Sequence, residues 1–323
     1  MHKIGISEGA IADLSWADPA AKALGLEIHV VSIATPEDVA KNLVGMDALV
    51  VSLQKVNAEV IAALPDSVKC VGRLGVGLDN IDLEAAKSSK LPVIFQPTYA
   101  YNEVANHAIA MIMSLHRGLM TASNGVKNSE WIPAPKVAEI VSLQDSTLGV
   151  VGCGRIGQSL IEKMKPMVKE IVGFDPAITT PIPGVRMVKT LDELIESSQI
   201  ITLHAPYMPS THHMFGKEQL AKMQKGSILV NVSRGGLIDE NALCDALNSG
   251  HLDGAGLDVF EKEPLQADSP LRSAKNIILT PHIAWYSQSA GRRLVTWALT
   301  DVHTFLTGKD SLNGKFAAGP FNQ

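Results

Sequence analysis

Cysteine is scarce in this sequence. Cys70, Cys153 and Cys244 are the three among 323 residues. They are scattered and odd in number, with neither metal-ligand spacing nor a disulfide framework, which fits a reducing cytosol. Basic clusters are missing as well. Lys and Arg number 28 against 33 Asp and Glu, giving a net charge of −5 and a pI near 6.1. No tract suits nucleic acid or an anionic membrane surface. No apolar run reaches the roughly 18 residues of a membrane span. The opening run Met1-His2-Lys3-Ile4-Gly5 reads directly as a strand, with no signal peptide ahead of it. The expected location is therefore the cytoplasm, with no nucleic-acid and no membrane partner. Low-complexity segments and short-period repeats are absent too.

What remains is apolar and regular. Hydrophobic residues make up 46% of the chain and charged residues 19%, so a large core is expected rather than disorder. The length suits two domains of roughly 150 residues each. Short apolar runs alternate with helical patterns from end to end. The first series is Lys3–Ser7, Glu27–Ser32, Ala48–Ser52, Cys70–Gly75 and Val93–Gln96. The second is Leu148–Gly152, Glu170–Asp175, Gln199–His204, Ser227–Ser233, Gly254–Phe260 and Ile277–Pro281. Such runs spaced by helices imply parallel sheets covered on both faces. The fold class read from this is α/β, with two doubly wound domains.

The boundary between the series is unusual. Asn102 to Leu119 reads as one long helix, and Trp131–Leu143, with two prolines, reads as a loop. A second long helical pattern runs from about Ser287 to Phe305, and the tail Leu306–Gln323 is too short to form a domain of its own. This order predicts that the second domain is built inside the first. Residues 1–98 and 287–323 would form the substrate-binding domain and residues 99–286 the dinucleotide-binding domain.

The strongest motif is Leu148-Gly149-Val150-Val151-Gly152-Cys153-Gly154-Arg155-Ile156-Gly157. An apolar stretch enters a G-x-G-x-x-G turn and a helical pattern leaves it. Gly152 permits the tight turn, Gly154 lets backbone approach a pyrophosphate, and Gly157 lets helix and strand pack closely. The helix start offers free N–H groups and the positive end of its dipole. Asp175 follows roughly 20 residues on, where a carboxylate accepts hydrogen bonds from ribose hydroxyls. It would repel a 2′-phosphate, and Pro176 to Thr180 supply no cation to replace it. NAD is favoured over NADP.

In an open α/β sheet, ligands sit beyond the carboxyl ends of the strands. Three of those ends carry Ser233-Arg234-Gly235-Gly236, Glu261-Lys262-Glu263-Pro264 and Pro281-His282-Ile283-Ala284-Trp285. An arginine, an acid and a histidine thus emerge on the cofactor side of one sheet. Nicotinamide moves a hydride, and a histidine titrating near neutrality is the natural partner for the proton. Glu263 would orient the imidazole. Arg234 would grip a carboxylate beside the reacting carbonyl with its planar fork. Taken singly, each has an ordinary explanation as a surface charge, a turn acid or a core histidine. The first series offers Gly72 to Gly77, a strand ending in Gly-Val-Gly that presents bare N–H groups to an anion. A plain glycine turn explains it equally well.

These segments resemble the D-isomer-specific 2-hydroxyacid dehydrogenase family. The resemblance rests on Val71–Asp82, Glu103–Ala108, the Gly152–Gly157 turn, Asn231–Asp239, Leu257–Pro264 and Leu279–His282, in family order over nearly the whole chain. It implies a Rossmann NAD-binding domain inserted into a flavodoxin-like substrate domain. It implies Arg234, Glu263 and His282 as the catalytic set, with His282 carrying the proton between a 2-oxo acid and a D-2-hydroxy acid. It further implies cofactor contacts from Gly152, Gly154, Arg155, Ile156, Gly157, Asp175, Thr211, Val232, Ser233, Arg234, Asp258 and His282, with Asp258 holding the nicotinamide carboxamide. Substrate contacts would come from Val76, Gly77, Arg234, His282 and Trp285. A homodimer built on the NAD-binding domains and no metal complete what it implies.

His282-Ile283-Ala284-Trp285-Tyr286-Ser287 looks most like the branch of the C-terminal-binding proteins and their bacterial relatives. Trp285 would wall the substrate pocket, or simply pack at the helix start. Glu263 is unlike the glutamine of formate dehydrogenases. From the short stretch after His282, the further regulatory domain often found in phosphoglycerate dehydrogenases is not expected. An NADH-responsive scaffold for partner proteins, of the corepressor type, is the alternative function. A metal-dependent hydrolase has only His212-His213 in its favour, adjacent side chains expected to diverge.

Overall fold

Apolar β-branched runs set the strands. The computed structural model describes residues 1–11, 13–133, 141–309 and 312–320. The strands are β1 (His2–Ser7), β2 (Leu26–Val31), β3 (Ala48–Val51), β4 (Cys70–Arg73), β5 (Val93–Phe95), β6 (Thr147–Val151), β7 (Glu170–Phe174), β8 (Arg186–Met187), β9 (Ile200–Leu203), β10 (Ser227–Asn231), β11 (Leu252–Leu257), β12 (Ile277–Leu279) and β13 (Lys315–Ala318). The chain divides into two compact units, Met1–Ala100 with Ser287–Gln323, and Tyr101–Tyr286.

The first unit holds a six-stranded sheet of order β13-β5-β4-β3-β1-β2. Its first five strands are parallel, in the flavodoxin-like order. Leu49, Val51, Val71 and Val93 share one hydrophobic cluster. The tail adds what the periodicity did not announce, since β13 pairs antiparallel with β5. A buried carboxylate anchors it. Asp301 accepts from Asn313 N at 2.8 Å, Gly314 N at 2.8 Å and Gln96 Nε2 at 2.8 Å. The helix carrying Asp301, Gln288–Leu306, starts where Ser287 Oγ accepts from Ala290 N. It buries Leu294, Val295, Ala298, Leu299 and Val302 at helical spacing.

The second unit holds a seven-stranded parallel sheet of order β12-β11-β10-β9-β6-β7-β8. This is the Rossmann order with one strand added at an edge. Along β10, Ile228 and Val230 enter one hydrophobic cluster and Leu229 the other. Alternate side chains therefore fill cores on both faces. In the helix Arg155–Met164, Gly157, Leu160, Ile161 and Met164 are buried, the stripe a covering helix needs.

The expected helix from Asn102 to Leu119 forms but stops three residues early, and a further helix follows it. Tyr101–His116 ends, Gly118 takes a left-handed φ of 58°, and a new helix runs from Leu119 to Lys127. A residue without Cβ makes that break easy. Of the expected Trp131–Leu143 loop, residues 134–140 lie outside the described residues, as do 310–311 and 321–323 of the tail. No helix among the described residues is long and apolar enough to cross a membrane.

Candidate active site

The glycine turn follows β6 and is fixed by backbone against backbone. Gly152 has φ 89°, and a Cβ there would lie 2.6 Å from Ala205 N. A Cβ on Gly157 would lie 2.2 Å from Gly152 O. Neither position has room for a side chain. Gly154 differs, since nothing lies within 4 Å of where its Cβ would point. It starts the helix without any side-chain cap. The first-turn amides thus face an open space bounded by glycine, a shape and polarity that fit a pyrophosphate.

Asp175 closes this cradle from the end of β7. Its Oδ2 accepts from Cys153 N at 2.8 Å and its Oδ1 from Ala177 N at 2.9 Å. Each oxygen keeps a further lone pair for a ribose hydroxyl. Cys153 itself is no nucleophile. Burial pushes its thiol up to about 12, with Asp175 adding to the rise. At the end of β9, burial pushes His204 down to about 3, so the imidazole stays neutral. Its Nε2 lies 3.0 Å from Thr202 Oγ1.

The strands stop earlier than their apolar runs, which frees the residues of interest. After β10, Asn231 takes over with its side chain. Its Nδ2 donates to Arg234 O at 2.8 Å and its Oδ1 accepts from Ser233 N at 3.0 Å. Ser233 Oγ donates to Leu203 O at 2.8 Å, and Arg234 Nη1 to Ser233 O at 2.8 Å. Val232 is buried. Thr211 lies in a short turn, where its hydroxyl donates to Pro206 O at 2.9 Å. Arg155 is exposed at the start of its helix and Ile156 half-buried. In the first unit, Val76 is exposed just beyond β4 and Gly77 partly so.

His282 and Glu263 meet. His282 Nδ1 lies 2.7 Å from Glu263 Oε2, both side chains about a quarter exposed, and Glu263 Oε1 accepts from Phe260 N at 3.0 Å. Burial pushes the Glu263 carboxyl up. The hydrogen bond and charge of His282, the Phe260 amide and the Arg234 charge together outweigh it and hold it below the usual range. An ionised carboxylate only accepts, so Nδ1 carries the hydrogen and Nε2 is left for chemistry.

His282 adopts a left-handed φ of 54°, a conformation that costs a residue with Cβ about 1–2 kcal/mol. The turn is held against that cost. His282 N donates to Asp258 O at 2.8 Å. The Asp258 carboxylate accepts from Ile283 N at 2.9 Å, Ala284 N at 2.8 Å and Thr280 Oγ1 at 2.6 Å. His107 Nε2 lies 3.0 Å from Thr280 Oγ1. The Thr280 hydroxyl gives its one hydrogen to Asp258, so His107 donates to it. Asp258 is only 1% exposed, and its carboxylate accepts these bonds from the histidine turn and from Thr280. The sequence reading assigned nothing to Thr280 or His107. Both lie in segments that carry the family resemblance, which was the available signal.

Trp285 donates from Nε1 to His282 O at 3.0 Å and packs edge to face on Tyr286 at 5.6 Å. His212 and His213, expected to diverge, stack with ring centroids 3.8 Å apart, because His213 takes a left-handed φ of 48°. Their partners are Tyr207 and Glu261. Among the described residues no group of three or more His, Cys, Asp or Glu is placed to hold a metal ion.

Comparison with known proteins identifies the family. Residues 109–284 match the D-isomer specific 2-hydroxyacid dehydrogenase, NAD binding domain. The chain is 37% identical over 287 residues to the D-3-phosphoglycerate dehydrogenase of Methanocaldococcus jannaschii, covering 88% of this chain and 54% of that protein. It is 33% identical to the glycerate dehydrogenase of Methylorubrum extorquens, over 85% of this chain and 87% of that one. The crystal structure of D-lactate dehydrogenase from Aquifex aeolicus, complexed with NAD and lactic acid, superposes with a TM-score of 0.86 at 28% identity, covering 98% of this chain and 100% of that one. The chain belongs to the D-isomer specific 2-hydroxyacid dehydrogenase family, and its second unit is the NAD-binding domain. It spans about half the length of the phosphoglycerate dehydrogenases it matches.

Proposed function

We propose that this protein is an NAD-dependent D-2-hydroxyacid dehydrogenase acting mainly as a 2-oxo acid reductase: 2-oxo acid + NADH + H⁺ ⇌ D-2-hydroxy acid + NAD⁺. The carrying observation is the 2.7 Å pair of His282 and Glu263. The chemistry that NAD brings when bound is hydride transfer. Gly152, Gly154, Arg155, Ile156 and Gly157 would hold its pyrophosphate and Asp175 a ribose, with Thr211, Val232 and Ser233 lining the nicotinamide end. His282 Nε2 gives its proton to the substrate oxygen in reduction and takes it back in oxidation. Glu263 holds the ring in register and stabilises the imidazolium between those steps. Arg234 pairs with the substrate carboxylate and carbonyl through its fork. In the first unit we assign the amides of Val76 and Gly77 to substrate binding, and in the second the ring of Trp285 to the substrate side chain. Asp258 would hold the nicotinamide carboxamide, and it also fixes the turn that carries His282.

The Trp285-Tyr286 pair supports placement near the C-terminal-binding-protein-like branch. No specific observation favours the corepressor-type scaffold. We further propose a homodimer through the NAD-binding domains. Leu119, Met120, Val126 and Trp131, all within residues 119–131 of that unit, are exposed, and exposed apolar residues of this kind support an interface with a second copy. Light scattering on purified protein tests it, and a monomer at micromolar concentration removes it.

The test of function is NADH oxidation against glyoxylate, hydroxypyruvate, pyruvate, phenylpyruvate and oxaloacetate. His282→Gln should lose about 10²–10⁴-fold in turnover while still binding NADH. Arg234→Ala should raise KM and lower kcat together. Full activity in either variant refutes the assignment.

A further inference from the structure

One peptide unit beside the proposed proton carrier is clamped at both ends. It joins His282 to Ile283. Its N–H, from Ile283, donates to Asp258 Oδ1 at 2.9 Å. Its carbonyl, from His282, accepts from the indole Nε1 of Trp285 at 3.0 Å. The orientation of this peptide plane sets ψ of His282. With φ already left-handed at 54°, the two angles together decide where the Cα–Cβ bond points.

The donor end comes from a rigid source. The indole has a single N–H and no acceptor, so its ring cannot rotate to offer something else. Its edge-to-face packing on Tyr286, with planes at 88°, limits tilt. Tyr286 N in turn donates to Ile283 O at 2.8 Å, closing the turn on itself. Asp258 acts on the other end of the peptide from a neighbouring strand end. If Trp285 lets go, one side of the clamp opens and the peptide is free to rotate about Asp258.

We infer that Trp285 is a positioning residue for proton transfer: its indole N–H holds the His282 carbonyl and thereby aims the imidazole. This rests on the reading of His282 as the proton carrier, and it adds to the pocket-wall role a second one that acts through the backbone. The two roles separate chemically. A wall works through ring surface and alters which side chains fit. A brace works through one hydrogen bond and alters turnover for every substrate alike.

Trp285→Phe keeps an aromatic ring and deletes the donor. In NADH oxidation, the brace predicts a fall in kcat of about tenfold for each 2-oxo acid that the wild type accepts. Any change in KM or in the ranking of substrates reports the wall, while the uniform fall in kcat reports the brace, and NADH affinity should be that of the wild type. Wild-type kcat throughout, or a reordered ranking without a uniform loss, overturns the inference. His282→Gln is measured alongside. If that variant turns over fully, the proposed function itself fails; if it is inactive and Trp285→Phe is unaffected, only the brace fails. A second readout needs no activity. The indole N–H signal that Trp285→Phe removes from the ¹H–¹⁵N spectrum should exchange with solvent at least tenfold more slowly than that of free tryptophan. Exchange at the free rate overturns the bond.

Discussion

Two turns of the NAD-binding unit use the same left-handed conformation for opposite purposes. At Gly152, φ is 89°; at His282, it is 54°. The first turn works with backbone amides and needs no side chain, so glycine adopts the conformation without strain. Its shape is enforced by contact, with Gly157 closed against Gly152 O. The second turn exists to present a side chain. Glycine is not available to it, and the conformational cost is met by hydrogen bonds from Asp258, Thr280 and Trp285. A backbone site is thus protected by steric exclusion, while a side-chain site is protected by bracing.

Four substitutions probe this contrast. The largest effect is expected from Gly157→Ala. Its methyl would collide with backbone at 2.2 Å, which no rotamer change relieves, so a stability loss of about 3 kcal/mol is expected. Denaturant melts and NADH titration should show the loss together with weakened NADH binding; a variant that melts and binds as wild type breaks the steric half of the contrast. Next comes Asp258→Asn. One of its two acceptor oxygens is replaced by a donor facing an N–H, costing about 2 kcal/mol, with kcat reduced as the turn loosens. Unchanged stability and kcat would show that the histidine turn needs no brace. Thr280→Val removes a single hydroxyl donor and should cost about 1 kcal/mol in the same melts, with the His107 ring losing its partner.

The smallest effect is present at neutral pH and disappears in acid. Glu263 is held below its ordinary range by its partners in the fold. A depressed carboxylate contributes stability that is present above the unfolded value and is lost as pH falls through the folded one. Glu263→Gln should therefore be less stable than wild type at neutral pH, and the two should converge below the folded value. Curves that stay parallel into acid would show that the pair adds no net folding stability.

The contrast also explains what the sequence made legible. Glycine spacing after an apolar run is a local pattern, and the cradle at Gly152–Gly157 could be read from it directly. The two sheets could be read as well, because buried parallel strands leave continuous Val, Ile and Leu runs. The bracing of His282 could not. Asp258 reaches Ala284 through one 2.8 Å bond from another strand end, and a single side-chain acceptor leaves no periodicity. The helix Leu119–Lys127 was not legible because it buries only Gly125 and leaves Leu119, Met120 and Val126 exposed, so it carries no core-facing stripe. The strand β13 was hidden for a different reason: it is short and pairs far away in sequence, with β5.

That pairing orders events during synthesis. Unit Tyr101–Tyr286 is one continuous stretch and can close on itself as soon as it has emerged. The sheet containing β1 to β5 is not complete when those strands leave the ribosome, because its edge strand and the Gln288–Leu306 helix are made only after the whole of Tyr101–Tyr286. At ordinary elongation rates the wait is on the order of tens of seconds. During it, β5 carries an open edge, and the unit begun earlier is finished later.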